Sequence, residues 1–249
     1  SPSNSHELGA INMIETKNLT KTFDQNTVLE GLEFKVEKGE IFCFLGANGA
    51  GKTTTINLLL GFLKPTNGEA LINGLSVKNN IEATRASVAY IPEQVSLYPE
   101  FTGMENLEFF VKLAGKTNDP DYLASCLEDA GLASEFHHSY SSTYSKGMRQ
   151  KVGIAIAIAK KAKVLLLDEP LSGLDPKAAN EFCQLLKKLK KDGVAILMAT
   201  HDLFRAKEIG DRLGIMRDGE LLETLITEDV SLAEIETIYL SHMQHNQEA

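Results

Sequence analysis

The sequence predicts an α/β fold: a mainly parallel sheet, an antiparallel β subdomain at the N-terminal end, and an α-helical insertion at approximately 95–160. Three observations carry this expectation. Short apolar runs at Ile41–Leu45, Val88–Ile91, Lys163–Asp168 and Val194–Thr200 alternate with helix-period stretches, as strands buried on both faces require. Met13–Phe23 and Val28–Val36 instead carry period-two alternation around the turn cluster Asp24-Gln25-Asn26, the pattern of an antiparallel hairpin. From Gly103 the composition turns helical for roughly fifty residues, with Leu107, Phe110, Val111 and Ala114 at helical spacing.

The run Ile41–Leu45 leads into Gly46-Ala47-Asn48-Gly49-Ala50-Gly51-Lys52-Thr53, which fits the phosphate-loop pattern G-x-x-x-x-G-K-[ST]. Glycines let successive backbone N–H groups face one centre, because no Cβ blocks the approach. Lys52 adds a cation for phosphate oxygens and Thr53 a hydroxyl for Mg²⁺. Thr53–Leu60, with Thr54 in its first turn, reads as a helix whose N-terminal dipole faces the same anions. Strand, loop and helix in that order predict a P-loop NTPase core. Gly61 and Pro65 then break the chain, Gly68–Asn73 reads as a strand, and Asn73-Gly74 as a turn. After Pro92, Glu93-Gln94-Val95-Ser96-Leu97-Tyr98 reads as a loop.

A second insertion helix is expected from Pro120 to Ala130, stopping at Gly131, and Ser145 opens the next. Lys163–Asp168 is a strand ending in acid, Asp168-Glu169. Pro176 starts a helix with an apolar face of Ala179, Phe182, Leu186 and Leu189. Lys187, Lys188, Lys190 and Lys191 sit near its C-terminus, where cations suit the dipole, so they read as a solvated face. Val194–Thr200 ends in His201-Asp202, Asp218-Gly219 turns a hairpin between Leu213–Met216 and Glu220–Glu223, and Ser231–Met243 forms a closing amphipathic helix.

The 249 residues suffice for one large domain with a substantial core. Residues 1–12 read as an appended remnant ahead of a native start at Met13, leaving 13–249 as a single domain. With 25 basic and 34 acidic side chains the chain is acidic, which argues against nucleic acid as a partner. No apolar stretch approaches the ~20 residues of a membrane span, and no signal peptide is present. Cys43, Cys126 and Cys183 lack metal-ligand spacing and read as reduced thiols of a cytosolic protein.

Four strand ends therefore carry polar chemistry: Gly46 onward, Glu93-Gln94, Asp168-Glu169 and His201. In open parallel sheets ligands sit beyond the carboxyl ends of the strands, so these groups are expected to converge. Asp168 reads as a carboxylate that holds Mg²⁺ either directly or through its bound water, and Glu169 as the base for an attacking water. With this order of motifs, from Met13 to the last helix, the chain resembles the ATP-binding subunit of an ABC transporter. The resemblance implies ATP and Mg²⁺ as cofactors, residues 46–53 as Walker A, and Val164–Glu169 as Walker B with the catalytic glutamate. It further implies Ser172-Gly173-Leu174-Asp175 as the D-loop, His201 as the switch histidine, and Phe23 as the adenine-stacking aromatic. Tyr144-Ser145-Lys146-Gly147-Met148-Arg149-Gln150 resembles the signature L-S-G-G-Q-x-Q, departing at Tyr144, Lys146 and Met148 but keeping Ser145 and Gly147.

Where the family has a glutamine that touches Mg²⁺ and the water, this chain has Glu93 followed by Gln94, and either could serve. The signature of one subunit faces the Walker A loop of another in this family. The resemblance thus implies a head-to-tail dimer, taken as a homodimer, that sandwiches two ATP molecules and drives a separate membrane permease. Its permease contact falls on the surface made by Glu93–Met104 and the helical insertion, with Leu97, Tyr98, Phe101 and Met104 as apolar anchors, on the cytoplasmic face of the membrane. The segment 90–99 and the signature resemble the ABC-2 export branch, in particular subunits of multidrug export, sodium export and copper-site maturation. The competing expectation is an ABC ATPase without a transport role, such as one in iron–sulfur assembly.

Overall fold

The computed structural model describes residues 10–116 and 119–244, so most of the segment read as a remnant lies outside the described residues. Strands β1 (Asn12–Phe23) and β2 (Asn26–Glu37) form the expected hairpin, with Phe23 opposite Asn26. Asp24 turns it at φ +53, a left-handed conformation that aspartate tolerates. β1 begins at Asn12, and Lys38 N–H donates to Ile11 O at 2.9 Å. Next come β3 (Ile41–Leu45), α1 (Lys52–Leu59), β4 (Asn67–Ile72), β5 (Leu75–Ser76), α2 (Ile81–Ser87) and β6 (Val88–Ile91). The helical stretch contains α3 (Gly103–Leu113), α4 (Pro120–Asp129) and α5 (Lys146–Lys160). The chain closes with β7 (Val164–Asp168), α6 (Pro176–Lys191), β8 (Ala195–Thr200), α7 (Leu203–Ile209), β9 (Arg212–Arg217), β10 (Glu220–Ile226) and α8 (Leu232–Gln244).

Two sheets result. Four strands pair antiparallel in the order β2-β1-β4-β5, and six lie in the order β10-β9-β3-β8-β7-β6. Every pairing in the larger sheet is parallel except that of β10 with β9. β3 shows why its run is apolar throughout. Ile41, Cys43 and Leu45 face the helical layer, while Phe42 and Phe44 face the antiparallel sheet and α1. Phe34 of β2 meets both phenylalanines, with centroids 5.5 and 4.7 Å away, which joins the two sheets. Such ring pairs contribute about 0.5–1.5 kcal/mol each beyond their burial.

The expected helical insertion shares one core with the central sheet. α5 lies directly on it, with Val152, Ile154 and Ala155 buried beside Ile91, Leu165 and Leu167. Capping explains where these helices start. Thr102 and Glu105 form a reciprocal capping box on α3, and Asp119, Ser145 and Asp175 cap α4, α5 and α6. Helices α2 and α7 were not expected. Each has seven residues, too few to display a period, although Asp202 accepting from Arg205 N–H at 3.1 Å is a legible cap for α7. The three cysteines are free and buried, and burial pushes the Cys43 and Cys183 thiols up, that of Cys183 to about 11.

The β9–β10 turn braces the phosphate loop. Gly219 N–H donates to Ala50 O at 3.0 Å, and Gly219 O accepts from Glu30 N–H of β2 at 2.9 Å. Gly219 sits at φ +81, and a Cβ there would lie 2.4 Å from Val28 O. Both contacts are backbone and cannot rotate away. Gly219→Ala should therefore cost about 2 kcal/mol or more, lowering Tm by roughly 4–8 °C in a thermal melt.

Candidate functional site

The phosphate loop hangs between β3 and α1 on contacts that exclude side chains. At Gly46 a Cβ would lie 2.6 Å from Met216 O, so residue 46 has to be glycine for the loop to leave the strand here. Ala47, Asn48 and Gly49 form its exposed outer turn, and Ala50 and Gly51 return to the core. Gly51 caps α1 with no side chain to accept from the first N–H groups of the helix. Those donors, on Lys52, Thr53 and Thr54, are left for an anion.

Lys52 is buried, and its ammonium donates to Gly46 O (2.5 Å), Thr200 O (3.1 Å) and Glu169 Oε1 (3.1 Å). The three acceptors come from the ends of β3, β8 and β7, which are neighbours in the sheet. Glu169 Oε1 also stands 3.0 Å from His201 Nδ1, which donates to the carboxylate when protonated at that nitrogen. Glu169 has φ +46, the left-handed region that a side chain such as glutamate seldom occupies. Its own N–H is anchored to Ala199 O at 2.9 Å.

One residue earlier, Asp168 Oδ2 accepts from Thr53 Oγ1 at 2.9 Å. Burial pushes the Asp168 carboxyl above the usual carboxylate range; Thr53 and Lys52 pull it down, and Glu169 and Glu93 push it further up. A half-buried acid with that balance is a site for a cation. Among the described residues no three His, Cys, Asp or Glu side chains could enclose a metal. A cation held by Thr53 and Asp168 must complete its shell from phosphate oxygens and water, which is the habit of Mg²⁺.

The strand ends thus bring together Gly46, Lys52, Thr53, Asp168, Glu169 and His201, as expected. Glu93 and Gln94 are exposed, and no hydrogen bond or ion pair among the described residues joins them to the network, but Glu93 lies near enough to push the Asp168 carboxyl up through its charge. β6 lies outermost, and these residues begin a loop that leads away from it. Phe23 is 45% exposed, with Lys21 Nζ 4.8 Å from its ring centroid; it presents a face rather than filling the core. Ser145 caps α5 by accepting from Met148 N–H at 3.2 Å. Together with Gly147, Leu174, Asp175 and Ala178, it lines a cavity of about 310 Å³ that contains no phosphate-loop residue. Within one chain, signature and phosphate loop are separate surfaces.

Comparisons with known proteins agree with this geometry. The ABC transporter family model matches residues 29–172. The chain belongs to the ABC transporter family. It is 39% identical over 212 residues to the bacitracin transport ATP-binding protein BcrA of Enterococcus faecalis, covering 85% of this chain and 68% of the relative. A solved ATP-binding subunit of an ABC transporter superposes with a TM-score of 0.82 at 31% identity, covering 93% of this chain and all of that one. A dimeric ATP-binding cassette in a post-hydrolysis state with ADP and Pi gives 0.78 at 28% identity, covering 86% of this chain and 99% of the other.

This ABC protein is accordingly an ATP-binding subunit that hydrolyses ATP to ADP and phosphate, coupled to transport. It uses Mg²⁺; the solved cassette it resembles at 28–29% identity is dimeric. The cradle fits Mg-ATP: uncapped N–H donors, a buried ammonium, and a hydroxyl–carboxylate pair short of ligands. Bound there, the nucleotide supplies the anhydride whose cleavage drives the work. Two residues complete the site beyond those expected there: Thr200, whose carbonyl holds Lys52, and Gly219, expected only as a hairpin turn, which braces the loop. No motif marks the first, since only its backbone acts.

The raised Asp168 carboxyl makes a pH prediction. A folded-state value above the unfolded one means the native chain binds this proton more tightly, so ionising Asp168 costs stability. The cost is absent below the ordinary carboxylate range, near about pH 4, and grows as pH rises through the folded value. Asp168→Asn, measured without nucleotide, should melt above wild type at pH 7–8 and converge with it near about pH 4. The same variant should lose at least ~100-fold in ATP hydrolysis.

Proposed function

We propose that Glu169 is the base that activates water and His201 the residue that holds it in place. Lys52, Gly46–Gly51, Thr53 and Thr54 bind the phosphates, Thr53 and Asp168 hold Mg²⁺, and Phe23 stacks the adenine. The observation that carries this is the Glu169 carboxylate, shared between Lys52 and His201 at 3.1 and 3.0 Å. A phosphate group arriving at Lys52 competes for the same ammonium. Glu169 is then left to His201 and free to accept a proton from water.

Ser145 and Gly147 complete the site from a second copy in a head-to-tail dimer holding two ATP molecules. Their separation from the phosphate loop of their own chain supports that arrangement, because an anion-receiving helix start with no ligand in its own chain suits a partner's nucleotide. An ATP hydrolysis assay and light scattering together test both assignments. Glu169→Gln keeps the shape but removes the base, so it should hydrolyse at least ~100-fold more slowly and form an ATP-dependent dimer. A variant that turns over ATP like wild type would remove Glu169 from the role.

The export branch is the reading we favour, with the chain on the cytoplasmic face of the membrane; BcrA is named for bacitracin transport. Among the described residues no helix is long and apolar enough to cross a membrane. The permease surface is an aromatic cluster slightly different from the expected one. Tyr98, Phe101, Phe109 and Phe110 stack with centroids 4.9–6.4 Å apart. Tyr98 and Phe109 are exposed, whereas Met104, expected as an anchor, is buried in the core at 6%. As α3 is a helix, Phe109 is carried to the outer face by the turn after Met104. Phe109→Asp should leave Mg-ATP affinity within about twofold of wild type and weaken co-purification with the permease at least ~tenfold, since an unpaired carboxylate in the contact is costly. Undiminished assembly would place the docking surface elsewhere.

A further inference from the structure

The signature departs from its family pattern at Lys146, and that residue has a definite employment. It is the first residue of α5, where a cation opposes the helix dipole. Its ammonium does not project into solvent. Lys146 Nζ donates to Ser172 O, in the loop that follows Glu169, and packs over Gly173, where a Cβ would be 3.7 Å from it. One turn further along the same face, Gln150 is fully buried and its Nε2 donates to Pro170 O at 2.5 Å. Among the described residues Gln150 Oε1 has no donor, so this amide is held by the Pro170 bond. Both α5 side chains grip carbonyls in residues 170–172.

That loop starts from a strained point. Glu169 occupies the left-handed region at φ +46, its N–H is fixed to Ala199 O, and Ser172 N–H donates back to Glu169 O at 3.3 Å. A left-handed conformation in a residue with a side chain persists only where its surroundings over-determine it. Upstream, β8 does this. Downstream, α5 does.

We propose that Lys146 and Gln150 form a two-point clamp on residues 170–172 that fixes the backbone of Glu169, making Lys146 a positioning residue for hydrolysis within its own chain. The inference rests on Glu169 being the base. A clamp on the loop sets the direction of the carboxylate without touching the nucleotide. Its loss therefore lowers turnover and leaves binding intact.

The test uses steady-state ATP hydrolysis and calorimetry with Mg-ATP on the full chain. Lys146→Met should lower kcat about tenfold with Kd and KM within about twofold. Lys146→Arg, which keeps a donor, should retain most of kcat. The pair Lys146→Met with Gln150→Leu should lose less than the product of the single losses, because the two act on one loop. Unchanged kcat in Lys146→Met, or parallel loss of affinity and kcat, overturns the clamp. A Lys146→Met chain that fails to fold passes the test to Gln150→Leu, judged by the same split.

Mixed dimers decide whether Lys146 acts on its own chain. With Lys146→Met in one protomer and Glu169→Gln in the other, a clamp within the chain leaves neither site competent, and hydrolysis stays about tenfold or more below wild type. If Lys146 instead serves the partner's nucleotide, one site is whole and activity returns to about half, which overturns the proposal. Glu169→Gln alone is the control. Wild-type turnover in that variant condemns the reading of Glu169 itself, whereas its loss beside a fully active Lys146→Met condemns only the clamp.

Discussion

A buried ammonium must have its charge and its three donors met, and at Lys52 that requirement draws three strand ends to one point. Gly46 O, Thr200 O and the Glu169 carboxylate each take one N–H. Leaving such a group unpaired costs several kcal/mol, so the loop, the acid strand and the strand leading to His201 are held in register by one side chain. The same donors are what phosphate oxygens need.

The sheet supplies the framework for this convergence. β3, β8 and β7 are adjacent and parallel, so their carboxyl ends present Gly46, Thr200-His201 and Asp168-Glu169 side by side. β6 is one place further out, and of the residues after it Glu93 acts on Asp168 through its charge. Phe42 and Phe44 tie the sheet from below to the antiparallel hairpin, whose partner contact at Gly219 braces the loop from the side. Rigidity at the phosphate loop thus comes from two sheets at once.

The helical layer carries the opposite assignment. Its α3 end exposes aromatic rings, its α5 start exposes a signature, and both are rooted in the core shared with the acid strand. Asn106 shows how firmly the outer loop is attached: its buried amide bonds Tyr98 N–H, Tyr98 O and Thr102 O at 2.8–3.1 Å.

The sequence alone determined the longer strand runs, the hairpins at Asp24 and Asp218, the helices long enough to show a period and every residue of the phosphate loop. Each of these is local: a period, a turn residue, or a glycine needed by the backbone within a few positions. It also marked Asp168, Glu169 and His201 as neighbours, because acids and a histidine at the ends of adjacent apolar strands have one shared destination. The tertiary structure alone decided which strand ends meet. Thr200 serves by a carbonyl that every residue has, Glu93 meets Asp168 through its charge, Met104 is buried by the pitch of α3, and Lys146 finds Ser172 across 26 positions. Neighbours set by sheet order and helix packing leave no periodic trace in the chain, and so they could be read only once the elements were assembled.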